Sequence, residues 1–227
     1  MIFLMRLLCI IGMGFISVQV SASRVAPDLD LSLHYYNRVL TPEGVTRQLA
    51  YEETMIRRAG HVWTVRRLPA VETSVPQQGH AHKEVNYTVL PRHVRLLAKG
   101  QVKLEFIDAA QRAVISVAVA EYDNVGFDGS WNNSFFLLNP ALIQQLPRSH
   151  RESPNAQSVW HEGQKNGRFQ RILWDDKNQI PLKIETGDIA GVTYQSLEVK
   201  IQPRTTKALP WKNIKGYAQK EYSDYLD

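Results

Sequence analysis

Three potential metal ligands, His80, His82 and Glu84, fall at i, i+2 and i+4. In an extended segment these positions share one face, so two imidazoles and a carboxylate would point together. That donor set suits Zn2+ or Cu2+. The spacing is common by chance and the run begins in a Gln/Gly loop, so a structural role outweighs a metal site, and no metal or cofactor is expected. The other histidines (His34, His61, His93, His150 and His161) are scattered and read as surface or packing residues. Among the carboxylates, Glu52 and Glu53 are adjacent in an extended run and face opposite sides. Asp175 and Asp176 sit in an expected turn, where Asp bonds its local backbone. Asp123 and Asp128 flank Gly126 in an irregular stretch and also read as turn residues.

The familiar catalytic signatures are missing. The chain has no Gly-rich phosphate loop, no G-x-S-x-G and no H-E-x-x-H. Its single cysteine, Cys9, lies in the N-terminal apolar stretch, which leaves no thiol for catalysis or metal binding beyond it. An enzyme is therefore not expected.

Arginines are more informative. Arg47, Arg57, Arg58, Arg66 and Arg67 all fall on one expected hairpin. They would form a cationic ribbon, with Arg57, Arg58, Arg66 and Arg67 as candidate partner contacts. The aromatic interleaving of single-strand nucleic-acid binders is absent. Anionic lipid, or an acidic patch on an envelope protein, suits the ribbon better, and peripheral membrane contact is compatible with it. A plain solvated outer face is the simpler alternative.

These residues must be positioned by strands. Residues 28–43 read as a short helix with one apolar stripe. From Thr46 the pattern switches to period two. Runs at 46–58 and 61–68 flank Ala59-Gly60, where glycine can supply the positive φ of a tight hairpin. Residues 70–82 read as a loop. Further strands are expected at 94–97, 102–107 and 114–119, then short helical pieces at 135–138 and 141–146 with Asn139 capping and Pro140 opening the second. A final meander covers 158–163, 168–174, 180–186 and 192–201, with Asn166-Gly167 as a strong hairpin signal. The expectation is a mainly β fold of nine or ten strands with one or two short helical segments: a large antiparallel sheet that, if it curls and the short helices plug its concave face, leaves a cavity. Trp63, Phe106, Phe127, Trp131, Phe135, Phe136, Trp160, Phe169 and Trp174 are spread through all these parts. They either fill a core or line a cavity, and the pattern leaves both open.

Composition agrees with a globular domain. Of 227 residues, 44% are hydrophobic and 22% charged, with a formal net charge of +5. Residues 1–22 carry one cation, Arg6, then an apolar stretch ending in Val20-Ser21-Ala22. This reads as a signal peptide cut after Ala22, with a retained membrane anchor as the alternative. Cleavage there would leave 205 residues with no cysteine. A secreted chain without cysteine suits the bacterial periplasm. The expected organisation is a signal at 1–22, one β-rich domain at 23–205 and a polar tail at 206–227.

The order of these parts resembles the periplasmic lipoprotein-carrier superfamily (LolA/LolB/RseB-like). Three pieces carry the likeness: the early hairpin at 51–67, the strands at 102–119 followed by the helical insertion at 131–146, and RILWDDKNQIPLKIE at 171–185, similar to the family's late hairpin. The resemblance covers most of residues 30–201. It implies an unclosed β-barrel whose concave apolar face takes acyl chains or a lipidated protein, as in outer membrane lipoprotein sorting and transport. It also implies that Trp131, Phe135, Phe136 and Leu138 belong to the plug, and that Trp63, Phe106 and Trp174 line the cavity. The expected function is an exported, non-enzymatic carrier of lipid or acylated protein. The alternative is a periplasmic regulator or assembly factor acting through protein contacts.

Overall fold

The computed structural model describes residues 25–68, 87–203 and 208–225. The expected signal peptide, Cys9, the loop at 70–82 and the His80, His82 and Glu84 cluster lie outside the described residues. The strands are β1 (Leu29–Leu40), β2 (Thr46–Arg58), β3 (His61–Arg67), β4 (Arg92–Leu96), β5 (Val102–Asp108) and β6 (Ala113–Val117), followed by helices α1 (Trp131–Phe136) and α2 (Ala141–Gln145). Then come β7 (Ser158–Lys165), β8 (Arg168–Asp175), β9 (Ile180–Asp188), β10 (Thr193–Gln202) and β11 (Ala218–Glu221). All eleven join one sheet in the order β11-β6-β5-β4-β3-β2-β1-β10-β9-β8-β7. The sheet does not close: β11 and β7 are its edges. It is antiparallel except at the β11–β6 pair.

The first segment is a strand, not the expected helix. Leu29, Leu31 and Leu33 recur at period two and are all buried, and β1 pairs with β2 on one side and β10 on the other. That joins the two halves of the chain at the middle of the sheet. The tight turns follow the sequence signals. Gly60 has φ 73° between β2 and β3, and Asn166-Gly167 has φ 51° and 73° between β7 and β8, both residues left-handed as a type I′ turn requires. Of the two helical pieces, the first runs Trp131–Phe136 rather than the expected 135–138, and the second, Ala141–Gln145, matches its expected place. Ser130 caps α1 by accepting from the Asn133 amide, and the Asn139 side chain accepts from the Ala141 amide at the start of α2.

Period-two burial gives the sheet two faces. On the concave face Leu29, Leu31, Leu33, Met55, Val62, Val94, Leu104, Phe106, Ile115, Leu197 and Val199 form the main core, closed by Tyr122, Phe127, Phe135 and Tyr222. Leu138 and Ile143 cover Ile172 and Trp174 further along the same face. A smaller cluster on the convex face joins Trp63, Ile107 and Val114 to Trp211, Ile214 and Tyr217. Residues 208–225, read from the sequence as a polar tail, thus add an edge strand and pack against both faces.

Candidate ligand site on the concave face

The apolar stripe of β1 runs on beyond its cover. Leu29, Leu31 and Leu33 are buried beneath the insertion, whereas Tyr35 and Asn37 on the same face are half-buried. Across the ladder, Tyr35 meets Tyr51 and Leu197, and Asn37 meets Leu49 and Gln195. Leu49 is 61% exposed. These residues line a pocket of about 420 Å3 together with Tyr36, Ile184, Thr186 and Ser196. The Tyr35 and Tyr51 rings stack at 4.7 Å. Burial, then the nearby Glu53 carboxylate, pushes the Tyr35 hydroxyl well above its usual range, and burial raises Tyr51 in the same direction. Both phenols are neutral, so this floor is aromatic and uncharged.

A second pocket, of about 520 Å3, adjoins it. Its lining includes Glu53, Thr64, Arg66, Leu90, Arg92, Phe106, Val125 and Tyr222. Both volumes fall in the range of small-molecule sites. The wall between the pockets is the Arg66 guanidinium, whose Cζ lies 3.9 Å from the centre of the Tyr51 ring.

The arginines do not form one ribbon, because strand parity divides them. Arg57 and Arg66 face the concave side, Arg58 and Arg67 the convex side. Arg57 is fully buried. Its guanidinium donates to the backbone carbonyls of Pro27, Phe135, Asn178 and Gln179, and lies over the Phe135 ring at 4.9 Å. Burial, opposed by the Asp28 charge, pushes its pKa down to about 10; it remains a cation at neutral pH and ties β2 to α1 and to the β8–β9 turn. Arg58 is buried too, bonded to Asp30 and to the carbonyls of Leu29 and Arg57. Arg67 is exposed and pairs with Glu52 at 3.6 Å. Neither Arg57 nor Arg58 presents a cationic surface, since each guanidinium is consumed inside the protein.

The aromatic candidates also separate. Phe106 lines the larger pocket. Trp131, Phe135 and Phe136 belong to α1 and pack together over Arg57, with ring centroids at 4.9 and 5.0 Å. Trp174 is buried under Leu138 and Ile143. Trp63 projects from the convex face into the Trp211 cluster, because in β3 it alternates with the inward Val62 and Thr64. Sequence reading did not single out Tyr35, Tyr51 or Arg92. The signal was present as parity: each shares the inward face of its strand with an apolar residue, Leu33, Met55 and Val94 respectively.

Among the described residues, no group of three or more His, Cys, Asp or Glu is arranged to hold a metal ion, and no helix is long and apolar enough to cross a membrane.

No family model matches the sequence, and no curated protein matches it. Solved structures do. A putative outer membrane lipoprotein-sorting protein domain from Vibrio parahaemolyticus matches 82% of this chain and 89% of its own at 13% identity, TM-score 0.30. The MucA/MucB complex of Pseudomonas aeruginosa matches 83% of this chain at 7% identity, TM-score 0.37; this chain spans 56% of the matched one. PNGF-II matches 88% of this chain at 9% identity, TM-score 0.37, with 32% of its own length covered. The neighbours thus include a lipoprotein-sorting domain and a MucA/MucB structure, the group that the sequence resembles. At these TM-scores the likeness carries no functional argument, and the functional reading rests on the chain's own residues.

Proposed function

We propose that this chain is an exported, non-enzymatic binding or carrier protein for a hydrophobic ligand, a lipid or a lipidated protein, taken up on the concave face. The observation that supports it is the stripe along β1 and β2: the same face that forms the core at Leu31 and Leu33 continues, half-buried at Tyr35 and exposed at Leu49, into two adjoining pockets. Exposed apolar surface in a concavity is favourable to cover, at roughly 0.8 kcal/mol per buried methylene. Phe106 touches the ligand directly in this reading. Trp131, Phe135, Phe136 and Trp174 pack beside the site, and Trp63, on the convex face, takes no part in it. Export through residues 1–22 would place the protein in the periplasm. The test is binding of a fluorescent acyl probe to the purified protein, with displacement by unlabelled lipid. Saturable binding weakened by Leu49→Asp supports the reading. Absence of binding, together with recovery of a protein partner in pull-downs, favours the regulator or assembly-factor alternative.

A further inference from the structure

Several cations elsewhere in the protein are matched by acids. Arg58 has Asp28 and Asp30, Arg67 has Glu52, Lys103 has Glu105, and Lys183 has Glu185 and Glu198. The larger concave pocket is different. Its described lining holds two guanidiniums, Arg66 and Arg92, and one carboxylate, Glu53. Ladder register puts them together: Glu53 is opposite Arg66, and Thr64, Arg92 and Phe106 form one row across β3, β4 and β5. Arg66 reaches Glu53 at 3.5 Å, and its Nε is buried with no partner. Arg92 donates from Nε to the Thr64 hydroxyl at 3.2 Å, and among the described residues no carboxylate lies within ion-pair distance of it. Among the described residues one positive charge is therefore left over in this concavity, where low-dielectric walls focus its field. Leu90, Phe106 and Val125 give the pocket an apolar side, next to the polar Thr88 and Asn124. Past the Arg66–Tyr51 stack, the second pocket offers Leu49, Ile184 and Leu197.

Resting on the reading of this face as a hydrophobic-ligand site, we infer that the ligand is an anionic amphiphile. Its carboxylate or phosphate monoester head is held by Arg92 and the exposed edge of Arg66, and its chain runs past the Arg66–Tyr51 stack toward the second pocket. Guanidinium suits this because its fork matches two oxygens of an oxyanion. A bare anion would leave the apolar walls uncovered; an uncharged lipid would leave Arg92 without a counter-charge.

The test is isothermal titration of the delipidated full-length secreted chain with dodecyl phosphate, dodecanoate, dodecanol and inorganic phosphate, the amphiphiles below their critical micelle concentrations. The wild type should bind both anionic amphiphiles at least 10-fold more tightly than dodecanol, with affinity falling as salt rises. Arg92→Ala should erase that preference, and Arg92→Lys should restore part of it. Equal affinity for charged and neutral chains overturns this inference and leaves hydrophobic-ligand binding standing. Binding of no amphiphile overturns both. Inorganic phosphate binding as tightly as dodecyl phosphate overturns the amphiphile assignment in favour of a small-anion site. The wild-type comparison requires no variant, so a misfolded Arg92→Ala protein would not blunt it.

Discussion

His61 Nδ1 lies 3.0 Å from His93 Nε2 on the convex face, and the Trp211 ring stacks on both imidazoles, at 4.8 and 5.5 Å between centroids. The pair thus holds the segment after β10 against the sheet. A single proton can bridge the two facing nitrogens, and two cannot be accommodated there. Arg95 from β4 and Lys215 from the C-terminal segment line the same site, with Glu105 from β5 as its one acid. Burial, then repulsion from His93 and Arg95, lowers the His61 pKa below its usual 6.5. Its neutral form is favoured in the fold, so its contribution to stability is present above pH 6.5 and is lost as pH falls through the lowered value. Urea unfolding should give lower stability at pH 5 than at pH 7.5, and His61→Gln should flatten that part of the profile. An unchanged slope in the variant would assign the dependence to other groups.

Glu105 sets a second, more acidic limit. Burial would raise its carboxyl, but contacts with His93 and Lys103 and the charges of Lys103 and Arg95 overcome burial and hold it at about 2. Its folded pKa is depressed from 4.5, so its contribution is full above pH 4.5 and disappears as pH falls toward 2. Glu105→Gln should remove this leg of acid unfolding. It should also lower neutral-pH stability by about 3 kcal/mol, because Glu105 is buried among cations that would lose their partner.

Replacing Arg57 should be costlier than replacing any exposed arginine. Arg57→Met leaves carbonyls of Pro27, Phe135, Asn178 and Gln179 without their donor. At about 1–3 kcal/mol for each buried group left unsatisfied, a loss of at least about 3 kcal/mol in chemical unfolding is expected. Arg57→Lys should recover little, since one ammonium cannot span the fork. Arg67→Ala, exposed, should change stability by less than about 1 kcal/mol.

Gly187 is required by space rather than by φ. A Cβ there would sit 2.6 Å from the Thr193 carbonyl oxygen and 3.0 Å from the Phe169 ring. Gly187→Ala should therefore destabilise by about 1–3 kcal/mol as the β9–β10 pair shifts, seen as a lower thermal midpoint. Gly191→Ala has open space at Cβ but a φ of 77°, so its smaller cost would come from backbone strain alone.

Most strands were legible because the concave face is apolar at alternate positions along much of the sheet, which imprints period two. β1 was misread although Leu29, Leu31 and Leu33 alternate, because Leu33, Tyr36 and Leu40 also satisfy helical spacing over so short a window. β11 carries no such signal: Ala218–Glu221 is four residues of low strand propensity, fixed by its parallel pairing with β6. The site was half legible. Phe106 and Arg66 stood out by type, but their relation to Arg92, Tyr35 and Tyr51 depends on register between strands, which periodicity within one strand does not encode.

Native mass spectrometry of the protein purified from its exporting cell, with lipid extraction of the same sample, tests the concave-face reading most directly. The account predicts a bound species that extracts into organic solvent and is lost in Leu49→Asp. A protein that is bare by both methods, and that binds no added acyl probe, would contradict it.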